Sequence, residues 1–278
     1  MGDIAVTSPI PTRRRRPTFA IRTLLAMVAV SSLAMAWVAR EQSVARSEAN
    51  IAEVLRANGF HVTFAGAFDD PQKRSVDQPW WRGLLSMIAG PRAVAVANFN
   101  DEPLNDDLLL LSQLGSLQDV QLYDTQITDL ACLESLTNLR SLQLSTARLK
   151  DITFVKRLNK LEWFGLYGNQ DVDIAPIGQL TELRTVAFDG TTIEDIAPLA
   201  TLKQLRELRL AGTRVSDLAP LADCKQLELL DLSDTAVKEV SHLKTLTNLQ
   251  LLYLQRCDVD QERLDALQRS LPNCEITR

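Results

Sequence analysis

Six acidic residues recur at 22-residue intervals along the chain: Asp129, Asp151, Asp173, Asp195, Asp217 and Glu239. Carboxylates in a regular row can do two kinds of chemistry. They can ligate a hard cation such as calcium, or they can accept hydrogen bonds from the unpaired N–H groups where a helical segment begins. Each acid stands just ahead of an apolar run that steps by three, which favours capping. The stretch closest to a calcium loop is Asn169, Asp171 and Asp173. It has Ile174 where the sharp turn needs glycine and Leu180 where the loop needs glutamate, so no metal site is expected.

Other reactive side chains are sparse. The chain has two histidines, His61 and His242, and four cysteines. It lacks a GxGxxG loop, a P-loop, HExxH and CxxC, so no enzyme activity and no cofactor are expected. Cys224 stands at a position filled by leucine in other units. Cys257 stands at one filled mostly by small polar residues. Only a Cys257–Cys274 bridge is conceivable, and only in an oxidising compartment. Residues 1–40 hold six arginines against Asp3 and net +5, whereas residues 41–278 hold 24 basic and 34 acidic residues and net −10. So acidic a body argues against nucleic acid as a partner.

The elements that position these residues come from an internal repeat. Leucine recurs at 117, 139, 161, 183, 205, 227 and 249, six intervals of 22 residues. Counting each unit from that leucine, apolar residues fill positions 1, 4, 6, 11, 14 and 17, and nearly always 20. Positions 4 and 6 alternate, as in a short strand with one buried face. Positions 14, 17 and 20 step by three, the period of a 3₁₀ turn. Pro176, Pro198 and Pro220 at position 16 disfavour a long α-helix there. Stacked coils of strand, turn and return would pair their strands in parallel around one apolar interior, because no single coil can cover its own.

The unit LRELRLAGTRVSDLAPLADCKQ, residues 205–226, resembles the leucine-rich-repeat family, in the 22-residue bacterial form of internalin-like proteins. The resemblance covers about residues 94–278. It implies an α/β solenoid with a concave parallel β-sheet, and a protein that binds other proteins or ligands rather than catalysing a reaction.

End coils should differ from the rest. A degenerate first unit fits Val94, Ala97, Phe99 and Leu104, with a helical return starting at Asn105. The return of the last unit, DQERLDALQRSL, reads as a helix with Asp260 as N-cap. Residues 40–93 read as a separate αβα cap: a helix with Val44, Ile51, Val54 and Leu55 on one face, a strand at Phe60–Phe64, a loop over 69–79 and a short helix from Trp80 to Ile88. Position 9 (Thr191, Thr213 and Thr235 among others) is expected to form a hydrogen-bonded ladder up the stack.

Positions 3, 5 and 7 point out of the sheet, so the candidate ligand-binding residues are Tyr123, Trp163, Tyr167, Asp189, Arg209, Asp231 and Tyr253. Trp163 and Tyr167 flank Gly165, a natural place for an exposed aromatic contact. The alternative is that these rings merely cover neighbouring strands. Most neighbouring charges at position 2 (Arg140, Glu162, Arg184, Arg206, Glu228) have opposite sign, as register-keeping surface pairs would.

Residues 19–39 have the length and apolarity of a single transmembrane signal anchor, interrupted only by Arg22, behind a basic tail over 1–18. That places the tail in the cytoplasm, the helix in the cytoplasmic membrane and the repeats outside. The alternatives are a signal peptide cleaved near Ala34-Met35-Ala36 and a buried core helix. The expected function is a membrane-anchored module that engages a protein or cell-envelope polymer through the concave face, with the bilayer as second partner. The alternative is a structural spacer with no discrete site.

Overall fold

A computed structural model describes residues 18–64, 93–98, 105–123, 129–145, 149 and 151–278. Among them, one helix, α1, runs unbroken over Thr18–Ala57, 40 residues and about 60 Å long. Strand β1 (His61–Phe64) follows, then β2 (Ala93–Asn98) and helix α2 (Asn105–Leu111). Strands β3 (Asp119–Tyr123), β4 (Ser141–Ser145) and β5 (Trp163–Tyr167) are five residues each. Strands β6 (Thr185–Ala187), β7 (Glu207–Arg209), β8 (Leu229–Asp231) and β9 (Leu251–Tyr253) are three residues each. Helix α3 (Gln261–Ser270) and strand β10 (Glu275–Thr277) end the chain.

The strands form one ten-stranded sheet in sequence order. From β2 onward the described pairs are parallel, and from β3 to β9 the register carries residue n onto n+22, as in Leu142↔Phe164 and Val186↔Leu208. Positions 4 and 6 point inward and are fully buried, as at Leu142, Leu144, Phe164, Leu166, Val186 and Phe188. Phe164 and Phe188 meet edge to face, ring centres 6.2 Å apart. The returns are six five-residue 3₁₀ helices, each burying its position-17 residue (Leu133, Val155, Ile177, Leu199, Leu221, Leu243) against that core. The step of three at positions 14, 17 and 20 is the step of that helix.

The acidic row caps these returns. Oδ1 of Asp129, Asp151, Asp173, Asp195 and Asp217 accepts the N–H two residues on, at 2.7–2.8 Å, and Oε1 of Glu239 does the same at 2.9 Å.

The position-9 ladder takes a different form. Thr191, Thr213 and Thr235 donate to the position-6 carbonyl of their own coil, at 2.6–2.8 Å, so they brace each corner internally. Among the described residues, Asn169 (to Leu149 O, 2.6 Å) and Cys257 (to Leu232 O, 2.9 Å) reach the preceding coil. A real intercoil ladder lies at position 19, where Ser135, Thr201 and Thr245 donate to the carbonyls of Ser112, Gly178 and Ala222. Position 8 is left-handed at Gly168, Gly190 and Gly212 (φ 63–69°), and at Asp234 and Arg256 (φ 58°). Glycine suits three of these corners because it has no Cβ to clash.

The first end departs from expectation. The first unit is slipped by one residue: Val96, not Ala97, pairs with Val120 and is buried. A one-residue slip exchanges the two faces of a strand, and β-branched Val96 fills the core better than Ala97. Strand β1 adds an antiparallel edge to the sheet. The packed face of α1 carries Ala45, Glu48, Ile51, Ala52 and Leu55, whereas Val44 and Val54 are exposed. Two alanines bring the helix close to coil one, and Ser116 donates to the buried Glu48 carboxylate at 2.7 Å. At the other end, Asp260 caps α3 by accepting from Arg263 N at 2.9 Å. The segments read as a loop over 69–79 and a helix from Trp80 to Ile88, and the basic tail through residue 17, lie outside the described residues.

Candidate functional site

The parallel register stacks the outward residues in rows across the sheet. The position-3 row runs Asp119, Ser141, Trp163, Thr185, Glu207, Leu229, Leu251. The position-5 row runs Gln121, Gln143, Gly165, Ala187, Arg209, Asp231, Tyr253. Tyr123, Ser145 and Tyr167 begin the position-7 row, which the repeat continues to Asp189.

Trp163 and Tyr167 converge over Gly165. A Cβ built on that glycine would lie 2.3 Å from Trp163 Cη2, 2.5 Å from Cζ3 and 2.9 Å from Tyr167 Cε2. Both rings therefore lean across the strand from opposite sides and bury the glycine beneath them, while each stays part-exposed. They cover their own strand at Gly165, and they also present aromatic surface to solvent. Next to Gly165 in the same row, Ala187 is fully buried.

A polar network joins the three N-terminal aromatic and amide positions. The Tyr123 hydroxyl donates to Gln143 Oε1, and Gln143 Nε2 donates to the Tyr167 hydroxyl at 3.5 Å. Burial pushes both phenols above their ordinary value, Tyr123 further through the nearby charge of Tyr167 and Asp119, so both stay protonated and able to donate.

The other expected residues lie farther along the sheet. Asp189 accepts from Ala211 N at 3.1 Å, and Arg209 Nε pairs with Glu207 at 2.7 Å. Asp231 accepts from Ser233 N at 2.9 Å. Burial raises the Asp189 carboxyl above the usual range, and the charge of Asp231 adds to the rise against the hydrogen bond from Ala211. Tyr253 is four strands from Tyr167, about 19 Å, and sits beside Asp231 and the half-buried Leu229 and Leu251. The structure thus gathers Tyr123, Trp163 and Tyr167, sets Asp189, Arg209 and Asp231 beyond them, and leaves Tyr253 apart. Glu207 was missed by the sequence reading, although it sits at outward position 3 and engages Arg209.

At position 2, Arg140 pairs with Glu162, and Arg206 with Glu228 at 2.8 Å. Both pairs are solvent-exposed and serve as surface register contacts. The four thiols are free. Burial raises the Cys132 and Cys224 thiols and pushes Cys274 up to about 11, which keeps them unreactive. Among the described residues no group of His, Cys, Asp and Glu is placed to hold a metal ion. A cavity of about 300 Å³ between the last 3₁₀ return and α3 is lined by Glu239, Lys244, Asp260 and Arg263. Three of its charges pair, Arg263 with Asp260 and with Glu239 at 3.3 Å, and join the last return to α3.

Among the described residues no helix is long and apolar enough to cross a membrane. The expected span, 19–39, falls partly on the side chains of residues 18–28 and Ser31, which lie outside that description. In the described part of the span, Val30 is 67% exposed, Leu33 and Met35 72%, and Trp37 42%.

No protein-family model matches the chain, and no curated protein does. Solved structures do. An internalin, inlF, from Listeria monocytogenes is 28% identical, with a TM-score of 0.58 over 61% of this chain and 50% of that one. Internalin C2, inlC2, from the same organism is 29% identical, with a TM-score of 0.50 over 53% of this chain and 66% of that one. A leucine-rich-repeat protein from Leptospira interrogans shares the fold at 24% identity, with a TM-score of 0.57 over 61% of this chain and 45% of that one. The chain thus spans half of the inlF structure and under two thirds of inlC2. Its fold is the leucine-rich-repeat solenoid, and its structural neighbours are internalins and other leucine-rich-repeat proteins.

Proposed function

We propose that the chain is a non-enzymatic, membrane-anchored binding module whose outward sheet face engages a segment of another protein. The carrying observation is the pair of part-exposed rings, Trp163 and Tyr167, closed over Gly165 on the outward sheet face. A large aromatic surface beside small residues is the composition that binding hot spots favour. The solenoid similarity to internalins supports protein binding as the general role.

Anchoring is supported by the first half of α1. Among the described residues, Val30, Leu33, Met35 and Trp37 are exposed. Exposing such a stretch in water is unfavourable, and the hydrocarbon of a bilayer would cover it. The basic tail orients residues 1–18 to the cytoplasm and the solenoid to the opposite side of the cytoplasmic membrane.

The test is capture from membranes by the full chain, comparing wild type with W163A/Y167A. Loss of a crosslinked partner in a variant that melts like wild type is expected. Equal capture by both would support the second reading, a structural spacer without a discrete site. A phosphatase reporter fused after Arg278 tests topology, and activity confined to the cytoplasm would overturn it.

A further inference from the structure

We infer that the outward face selects a positively charged partner segment, seating a lysine or arginine side chain over the Trp163–Tyr167 rings and against Asp189. This inference rests on the protein-segment reading above and adds the chemistry of the segment.

Four observations lead to it. First, the floor beneath the rings is small: Gly165 and Ala187 are paired in register and both are buried. The rings that cover Gly165 therefore turn their remaining surface outward. An aromatic face carries a negative quadrupole and attracts a cation placed over it.

Second, the strand after Trp163 and Tyr167 leads to Asp189, one strand away, with Glu207 and Asp231 on the strands beyond. Three carboxylates face one guanidinium, that of Arg209, which leaves this stretch two charges negative.

Third, Arg209 is held by Glu207 through Nε. Asp189 and Asp231 each accept one backbone N–H, and a carboxylate offers about four acceptor sites. Among the described residues neither carboxylate accepts a further hydrogen bond, so acceptor capacity remains. Burial and the neighbouring Asp231 disfavour the charged form of Asp189, a cost that an incoming cation would relieve.

Fourth, residues 41–278 carry a net charge of −10, so the field around the solenoid favours approach of a basic segment and opposes an acidic one.

The probe is a fluorescent ten-residue peptide of alternating lysine and glycine, compared with glutamate–glycine and norleucine–glycine peptides of the same length. Each is titrated by anisotropy into the full chain held in zwitterionic detergent micelles. The lysine peptide is expected to bind, and to bind more tightly as salt is lowered. W163A should weaken it about fivefold or more, and D189N about threefold. W163F, which keeps a ring, should bind within about twofold of wild type. D189N is isosteric and W163F keeps an aromatic ring, so they inform even if W163A fails to fold.

Two results overturn the cation inference and leave the protein-segment reading standing: the norleucine or glutamate peptide binding as tightly as the lysine peptide and losing affinity in W163A, or none of the three binding while W163A still abolishes membrane capture. Lysine-peptide binding that W163A and D189N leave unchanged also overturns it, because the lysines would then sit on another acidic surface. The protein-segment reading itself fails only if W163A/Y167A captures its partner as wild type does.

Discussion

Asp234 and Arg256 occupy the same corner of successive coils, both at φ 58°, and their side chains pair with each other. The preceding three coils place glycine there. The left-handed corner is thus obligatory, and two residues adopt it against their intrinsic preference. The pair and the strain can be separated. R256A keeps the strain and removes the pair; it should melt lower than wild type in low salt, with the difference fading at about 1 M salt, where screening acts within about 3 Å. R256G removes both, and relief of the corner should offset the lost pair, so that its melting temperature lies above that of R256A. Thermal scans at two ionic strengths read both effects.

The position-13 caps should behave as a set of independent contributions. Asp195 accepts from Ala197 N at 2.7 Å. D195A should lower unfolding free energy by about 1 kcal/mol. D195N keeps an acceptor and should stay within about 0.5 kcal/mol of wild type. Equal losses in the two variants, measured by urea unfolding, would show that the oxygen's hydrogen bond is not what matters.

Acid should weaken the solenoid through its caps and corners. The Thr153 N–H and hydroxyl hold the Asp151 carboxyl below its usual range, Arg256 does the same to Asp234, and the Ser241 N–H and hydroxyl to Glu239. A carboxylate whose folded value is lowered contributes stability above its unfolded value, about 4. That contribution disappears as pH falls through the lowered folded value. Asp189 has the opposite sign: its raised value means that ionisation costs stability once pH exceeds the unfolded value. D189N should therefore be more stable than wild type at neutral pH, and the gap should close as pH falls below about 4. Unfolding followed from pH 7 to pH 3 checks both signs.

Gly165→Ala tests the aromatic platform. The added methyl would overlap the outer edge of the Trp163 ring, which can swing away, whereas the backbone need not move. The cost should be about 1 kcal/mol, with a red shift and altered quenching of the Trp163 component of the fluorescence. An unchanged Trp163 signal would mean that the ring does not rest on this glycine in solution.

Much of this was legible in the sequence because a stacked coil repeats its constraints. Leucine every 22 residues identified the coil, the step of three identified the 3₁₀ return, and the acid at position 13 identified its cap. What failed to show was whatever lies outside the repeat or lacks a side-chain signature. Three glycines at position 8 betray the left-handed corner, but Asp234 and Arg256 conceal it. The first coil carries apolar residues on both sides of the true register, so Val96 and Ala97 could not be told apart by pattern. Val44 and Val54 read as core, yet the cap uses Ala45, Ala52 and the buried Glu48, because close approach and a partner at Ser116 outweigh hydrophobicity there. For the outward face, the strand period located Trp163 and Tyr167, but their convergence over Gly165 depends on side-chain torsions that no spacing encodes.

Helix α1 has no break between Thr18 and Ala57, and Ala45, at the start of its packed face, is only five residues beyond Arg40. That is about 8 Å of rise, too short and too stiff for a tether. On the anchoring proposed above, the helix would carry the solenoid as a lever. A tilt of about 10° at the helix would swing the last strand, about 38 Å down the stack, through about 7 Å. Under that anchoring the sheet would sweep a narrow arc instead of searching freely, and a partner would have to come within it.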